Sequence, residues 1–392
     1  MTVVLRLYSG RSGFASLGAE WEAMACRHGT HFLHFPAWYG AELARSGEQG
    51  VHFLALRDSS SSELVAVLPL QRYFLQALGL KWPIVQLYYP NEMGVNEVLT
   101  REPLRLHMPA VRQLLSREVP FFWLMRWQCV LENGWAVTAA PASSAVRYLH
   151  GSKYLAFAQG YERFLEGLGA KLRSDLRKKR RRLEQMGQLH LAVHARAAEL
   201  PRAFEQFLAL EDSGWKGKRG TSLRRQPDRE RYYRYLLEHY GRLGLCRINV
   251  LLLGETPIAG LFGIEVGDSL HLLKIGFAEE LAPHSPGGIL LLEMVQHLCR
   301  HSRVRIISFV TGARWCDRWR PSVTRVGVFY TGGAAYLSEI ALGVMGRGLR
   351  WRDRRVACGA SEAARPATLM ASSLPRVAQG QETASEAPEG EV

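Results

Sequence analysis

Between Leu270 and Gly312 the chain runs through an apolar segment, the loop His284-Ser285-Pro286-Gly287-Gly288, a helical stretch and a second apolar run. A strand, a loop without bulky side chains, a helix and a strand would leave backbone amides free where the helix begins. The first N–H groups of a helix lack internal partners and lie at the positive end of its dipole, which suits an anion. Pro286 fits the first helical turn, while Gly287 and Gly288 admit close approach of a ligand to the backbone. His284, Ser285, Gly287 and Gly288 are therefore the candidate contacts to a phosphate of a cofactor or activated donor. Lys274 is a second signal, because an ammonium inside an apolar strand is costly unless it is paired or put to use. Thirteen histidines are present without a Gly-x-Ser-x-Gly turn, so nothing indicates a serine hydrolase triad.

Around these residues the 392-residue chain, 47% hydrophobic and 22% charged, has the composition of two or three globular domains. Arg6 and Arg11 lead into no signal-peptide core. No apolar run reaches the roughly 18–20 residues of a membrane-spanning helix, so the expected location is the cytoplasm or the inner membrane face. Six cysteines, at 26, 129, 246, 299, 316 and 358, have no short paired spacing. A zinc site or disulfide framework is not indicated, and no metal is expected. Cys316, beside Asp317 in a loop, is the one thiol placed to react. The net charge of +14 is uneven: residues 1–150 hold 13 Lys plus Arg against 11 Asp plus Glu, and the remainder 37 against 25. A basic second half points to a polyanionic partner such as a nucleotide-linked substrate, a tRNA or an anionic membrane face.

The elements that must position the candidates can be read along the chain. Val3–Leu7 reads as a strand, a helix follows near Trp21, and then comes the aromatic patch Phe32-Leu33-His34-Phe35-Pro36-Ala37-Trp38-Tyr39. Apolar runs at 51–56, 64–70, 83–89 and 121–131 complete a mixed α/β unit over 1–150. From Gly160 to Gly187 apolar residues recur at helical spacing and predict one long amphipathic helix. Its segment Lys171–Arg182 carries eight basic residues and one acid, with an unbroken run from Lys178 to Arg182. That run is expected to lie on the surface as a phosphate-contacting arm. Helices at 199–212 and 228–240 precede strands at 246–253, 257–266 and 269–277, the first two joined by a turn at Gly254-Glu255-Thr256. Strands at 326–330 and 336–342 follow the loop-helix-strand unit. From 358 to 392 the composition is that of a disordered tail.

The order of the second half, with several motifs in it, resembles the GNAT acyltransferase fold. More narrowly it is similar to the bacterial BioF2-like acetyltransferases, relatives of the Fem peptidyltransferases and of proteins encoded with cellulose and exopolysaccharide synthesis. The resemblance is carried by the helix Lys171–Leu183, by Leu210-Glu211-Asp212-Ser213-Gly214-Trp215-Lys216-Gly217 with Gly220-Thr221, and by Leu273-Lys274-Ile275-Gly276-Phe277. Ser285-Pro286-Gly287 and Ser308-Phe309-Val310-Thr311-Gly312 with Trp319 complete it. It covers about 155–320 and is diffuse before 150, where Phe35-Pro36-Ala37-Trp38 and Leu68-Pro69-Leu70 match. The chain departs from the pattern in lacking the Gln/Arg-x-x-Gly-x-Gly/Ala loop. It also has Ser308 where the family often has Asp, and Cys316-Asp317-Arg318 where a Lys is expected.

The resemblance implies an α/β protein of two tandem GNAT-like domains, mixed sheets with flanking helices, divided at 1–150 and 151–357. It implies acyl transfer from acetyl-CoA or another acyl-CoA to an amine, on an amino sugar or an envelope or exopolysaccharide precursor. Such chemistry needs a proton acceptor, donors for the oxyanion and an anchor for the activated acyl group. Glu211, next to Asp212 and near Trp215, is the expected base, with Lys274 as its catalytic companion. Trp215, Lys216, Arg177 and Arg181 are the expected substrate contacts. Glu211, Lys274 and the 285–288 loop should then face one cleft. Ranked behind are Fem-type transfer from aminoacyl-tRNA and a non-catalytic partner of a polysaccharide synthase.

Overall fold

The computed structural model describes residues 2–77, 80–89, 94–119, 124–139 and 146–332. The strand expected at 336–342, the domain end at 357 and the tail from 358 lie outside the described residues. The elements are β1 (Val3–Ser9), α1 (Gly10–His28), α2 (Pro36–Ser46), β2 (Val51–Asp58), β3 (Leu64–Ala77), β4 (Leu80–Leu87), β5 (Leu99–Thr100), α3 (Met108–Glu118), β6 (Leu124–Leu131) and β7 (Val146–Ala156). They continue as α4 (Tyr161–Gly167), α5 (Ala170–Met186), β8 (Leu189–His194), α6 (Leu200–Ser213), α7 (Trp215–Lys218), α8 (Pro227–Arg242), β9 (Cys246–Leu253), β10 (Thr256–Val266), β11 (Ser269–Phe277), α9 (Pro286–His301), β12 (Ile306–Ser308) and β13 (Ser322–Gly332).

One sheet runs in the order β1-β2-β3-β4-β6-β13-β7-β12-β11-β10-β9-β8, with β5 added to β3. Its two ends repeat a pattern. Strands β1 to β4 form an antiparallel run, followed by α3 and by β6, which pairs in parallel with β4. Strands β8 to β11 form a second antiparallel run, followed by α9 and by β12, which pairs in parallel with β11. This is a tandem of two α/β units with flanking helices. The units also exchange their last strands. β7, which follows β6 in the chain, pairs with β12; β13, which follows β12, pairs with β6; and β7 and β13 pair with each other. Residue 150, the division expected from the sequence, lies inside β7.

Apolar side chains alternate across the second half's strands, as period-two patterning requires. Phe262 and Ile264 of β10 enter a core shared with α2, α6 and α8, whereas Ile258 and Leu261 enter one shared with α5 and α9. A third core lies beneath α3 in the first half. The strand bounds at Cys246–Leu253 and Ser269–Phe277 are those expected, and Leu253 pairs with Thr256 across the expected turn. The long helix over 160–187 is not formed. It breaks between α4 and α5, where Leu168 and Gly169 are extended and Leu168 is buried. Two glycines around one leucine weaken the helix there, and burial of Leu168 favours the break.

The exchange is sealed by Trp127 of β6, fully buried and stacked on Phe329 of β13 with ring centroids 5.3 Å apart, its Nε1 donating to Thr331 Oγ1 at 3.0 Å. Trp127→Ala should lower unfolding free energy by about 3–5 kcal/mol, read from urea titration of the whole chain.

Candidate functional site

The parallel ladder between β11 and β12 spans three registers: Ser269↔Ile306, Leu270↔Ile307 and His271↔Ser308. Past it, β11 bulges. Leu272 opposes Gly263 and Lys274 opposes Phe262, so Leu273 is the extra residue and the strand bends there. β12 stops at once, because Val310 takes φ 61° and Thr311 N–H donates back to Phe309 O. A positive-φ γ-turn centred on a β-branched residue is strained. Ser308 Oγ accepts from Val310 N–H at 3.1 Å and holds the turn, a task that an Asp side chain also performs. Beyond the fork, Leu272–Phe277 has no strand partner on the β12 side among the described residues.

The bulge also sorts side chains. Leu270 and Leu272 enter the α5/α9 core, against which Ile275 and Phe277 pack, while Leu273 enters the α6/α8 core. Lys274 Nζ lies 5.0 Å from the ring centroid of Tyr233 on α8, a cation–π contact. At Gly276 a Cβ would lie 3.1 Å from the Glu211 Cα, so β11 and α6 meet backbone to backbone and only glycine fits. Glu211 is buried, and both its oxygens are engaged: Oε1 accepts from Lys216 Nζ at 2.8 Å and Oε2 from Leu223 N–H at 2.9 Å. Glu211 and Lys274 therefore share one face of β11, whereas α9 packs on the other. The single cleft expected for them and the 285–288 loop is not formed on one face. The two sides approach each other only at the C-terminal end of β11, where Lys216 Nζ lies 3.4 Å from Ile275 O and Lys218 pairs with Glu279 at 2.7 Å.

At the start of α9, Ser285 is fully buried in the left-handed region at φ 48°. Its Oγ accepts from Lys179 Nζ of α5 at 2.9 Å, and Lys179 in turn lies 3.2 Å from Asp175. Asp175 also accepts from Arg318 at 2.9 Å. Lys179 thus corrects the expectation of a solvated basic run. It is buried, and Arg180 pairs with Glu184 and Glu293, leaving Arg177, Lys178, Arg181 and Arg182 exposed and without an acid partner among the described residues. The space at Gly288 goes to helix packing, since a Cβ there would lie 3.2 Å from Leu176 Cδ2. His284 Nδ1, just before this helix start, is buried with no partner among the described residues. A buried ammonium at the positive end of a helix is unfavourable by itself, and Asp175, which also bonds Arg318, offsets it. The positive helix end beside Lys179 suits an anion.

Trp215 is exposed, with the Arg219 guanidinium 5.4 Å from its ring centroid. Cys316 is no nucleophile: its buried thiol donates to Ala313 O at 2.8 Å, and burial pushes its pKa up to about 11. Among the described residues, no three His, Cys, Asp or Glu side chains are arranged to hold a metal ion, and no helix is long and apolar enough to cross a membrane.

Sequence reasoning misses three histidines. The short turn Phe32–His34 between α1 and α2 lays His31 and His34 against the start of β11. The ring centroids of His31 and His271 are 4.5 Å apart, those of His31 and His34 6.0 Å, and Trp135 stacks on His34 at 4.8 Å. His271 sits at the fork with both ring nitrogens buried and unpartnered, as is His34 Nε2. Burial, with repulsion from His271, holds the His34 pKa down to about 3; burial alone does the same for His271, and His31 is driven well below its usual value. Behind Trp135, burial raises Glu97 to about 7 although the N–H groups of Val98 and Ala136 bond its Oε1. The signal was present at His271, a polar residue inside an apolar strand like Lys274.

Residues 170–319 match the acetyltransferase (GNAT) domain family. The segment from α5 to Trp319 is a GNAT acetyltransferase domain. Among solved structures, FemX shares 11% identity over 83% of this chain and 98% of its own, with a TM-score of 0.54. L-PGS from Bacillus licheniformis shares 13% over 84% and 96%, with a TM-score of 0.46. A tandem GNAT protein from the clavulanic acid biosynthesis pathway shares 11% over 85% and 99%, with a TM-score of 0.40. No curated protein matches the sequence. The FemX likeness is one of fold, and it spans both halves. The motifs read for the resemblance between Ala170 and Trp319, and the fork itself, lie within the GNAT domain; His31 and His34 come to it from the first half.

The titrations have opposite signs. The histidines bind protons near pH 6.5 when unfolded and not until much lower pH when folded, so their stability is present above 6.5 and lost as pH falls. Glu97, raised when folded, favours the fold at low pH and loses that contribution as pH rises through about 7. Near pH 5.5 unfolding should take up about two protons net from these four groups, so the urea midpoint should drop between about pH 6.5 and 4.5 and His34→Gln should flatten that slope by about one proton. Converting Lys178, Arg181 and Arg182 to Gln should leave the melting temperature nearly unchanged, as measured by calorimetry. It should weaken heparin retention, and the difference should fade as salt rises.

Proposed function

We propose that the protein is an N-acyltransferase that moves an acyl group from a CoA-type thioester to an amine, on an amino sugar or an envelope or exopolysaccharide precursor. The observation that carries this is the fork. The unpaired side of Leu272–Phe277 is a free strand edge, and the amides of a pantetheine arm can hydrogen-bond along it as an added strand would. That edge leads to the start of α9, where Lys179, Arg318 and His284 with the amides near Ser285, Gly287 and Gly288 favour the donor's phosphates. Lys274 and Tyr233 line the other face. Glu211, its oxygens engaged inside the fold, acts in this reading by holding Lys216 at the strand end. Trp215 offers an exposed ring for an adenine or sugar to stack on. A second reading, transfer from aminoacyl-tRNA, is favoured by one observation, the exposed face of Arg177, Lys178, Arg181 and Arg182 on α5. Binding at the inner membrane face or beside a polysaccharide synthase would use the same face.

Calorimetric titration with acetyl-CoA, followed by thiol release in the presence of amines, tests the first reading. Arg318→Gln should weaken acetyl-CoA binding roughly tenfold, more at low salt, while leaving the melting temperature within a few degrees. Absence of acetyl-CoA and longer acyl-CoA binding, with tight binding of a charged tRNA, would replace it with the second.

A further inference from the structure

Several buried polar atoms at the junction of the two halves have no partner among the described residues. Leu33 N–H donates to His31 Nδ1 at 3.2 Å and Thr30 N–H to His34 Nδ1 at 3.1 Å, so in each neutral ring the proton sits on Nε2. His34 Nε2–H then faces no acceptor, and His271 presents one donor and one acceptor nitrogen with no partner. Trp38 Nε1–H is likewise buried and unpartnered, with Phe32 between it and the histidines: ring centroids lie 4.9 Å from Phe32 to Trp38 and 5.0 Å from Phe32 to His271. Native folds leave few buried polar atoms unmatched, and several gathered around one aromatic ring mark a place built for a polar guest. His31 is the one histidine of the three with partial exposure. The place lies where β11 and β12 part, and so beside the edge proposed for the donor.

The unmatched set defines the guest. Buried N–H groups of His34 and His271 call for acceptor oxygens, and one bare imidazole nitrogen calls for an N–H. Among the described residues no carboxylate pairs with these rings; Glu97, behind Trp135, accepts hydrogen bonds from backbone N–H groups. An ammonium would meet no counter-charge, whereas a neutral amine with a neighbouring hydroxyl or carbonyl oxygen satisfies donors and acceptor alike. Resting on the acyl-transfer reading, we propose that the His31–His34–His271 cluster is the acceptor subsite, that it takes a neutral primary amine flanked by oxygen, and that the bare nitrogen of His271 orients the amine by accepting one of its N–H groups. The amine lone pair attacks the thioester carbonyl, the N–C bond forms and the C–S bond breaks with its electron pair leaving on sulfur. The proton shed by nitrogen passes to the departing thiolate, giving an amide and a free thiol.

Hydroxylamine is the probe: small, uncharged at slightly alkaline pH, and an N–H donor with an adjacent oxygen. On the full chain, imidazole nitrogen NMR should show the His271 and His34 signals shift as hydroxylamine is added, and hydroxamate should form from acetyl-CoA. His271→Leu, which removes both ring nitrogens at similar volume, should keep acetyl-CoA affinity and lower hydroxamate turnover about 100-fold. His34→Gln serves as a second variant and should raise KM for hydroxylamine more than it lowers kcat. Equal turnover in wild type and His271→Leu, or imidazole signals unmoved by hydroxylamine while acetyl-CoA binds, would overturn the acceptor subsite and leave the donor reading standing. Imidazole shifts without acetyl-CoA binding would support an amine site and remove the acyl-transfer chemistry assigned to it.

Discussion

The short ladder between β11 and β12 is ended by two local devices, the bulge at Leu273 and the γ-turn at Val310 held by Ser308. Without the bulge, His271 and Leu273 would share one face of the strand and Lys274 would point to the other. With it, all three reach the α6/α8 side, and the apolar residues Leu272 and Ile275 remain available to α5 and α9. Without the turn, β12 would run on beside β11 and fill the edge proposed for the donor. The strain at a valine with positive φ is the expected sign of a segment whose geometry is fixed by what it borders rather than by its own preference.

Charge follows the same division of the sheet. On the α5/α9 side, Lys179 and Arg318 share Asp175 at a helix start, which favours an anionic guest. On the α6/α8 side the histidines are neutral and buried, which favours an uncharged polar one. In the proposed reaction, a phosphate-bearing donor and a neutral nucleophile would come to opposite faces of one strand, with the fork as the meeting place. The departure at Ser308 from the family's usual Asp fits this division, since a hydroxyl holds the turn without adding negative charge beside the histidines.

Local pattern made much of the second half legible in the sequence. Period-two runs with a two-residue turn placed β9 and β10 almost to the residue, and Lys274 stood out as a polar intruder in β11. What was not legible depended on residues distant in sequence. Lys179 lay in a run of like charge, and nothing local distinguished it from Lys178; only the packing of α5 on α9 buries it. His31 and His34 belonged to an aromatic patch that composition assigns to core, and they gain meaning only when β11 arrives some 240 positions later. Glu211 was read from its acidic neighbour and from Trp215, whereas Leu223 N–H and Lys216 decide what its carboxylate does. The break at Leu168 required weighing two glycines against a continuous amphipathic stripe, and burial of the leucine settled it.

The exchanged strands bear on how the chain is made. As the ribosome releases the first half, β6 emerges with one edge covered by β4 and the other bare, because the strand that will cover it, β13, is the last described element to be synthesised. A bare edge of this kind invites pairing with another chain. β7, emerging next, can shelter neither β6 nor itself until β12 and β13 arrive. The first half is thus held as an incomplete sheet through most of translation, and its closure is coupled to completion of the GNAT domain. A chain interrupted before residue 322 would leave β6 uncapped and would be a natural substrate for chaperones and proteases rather than a smaller working protein.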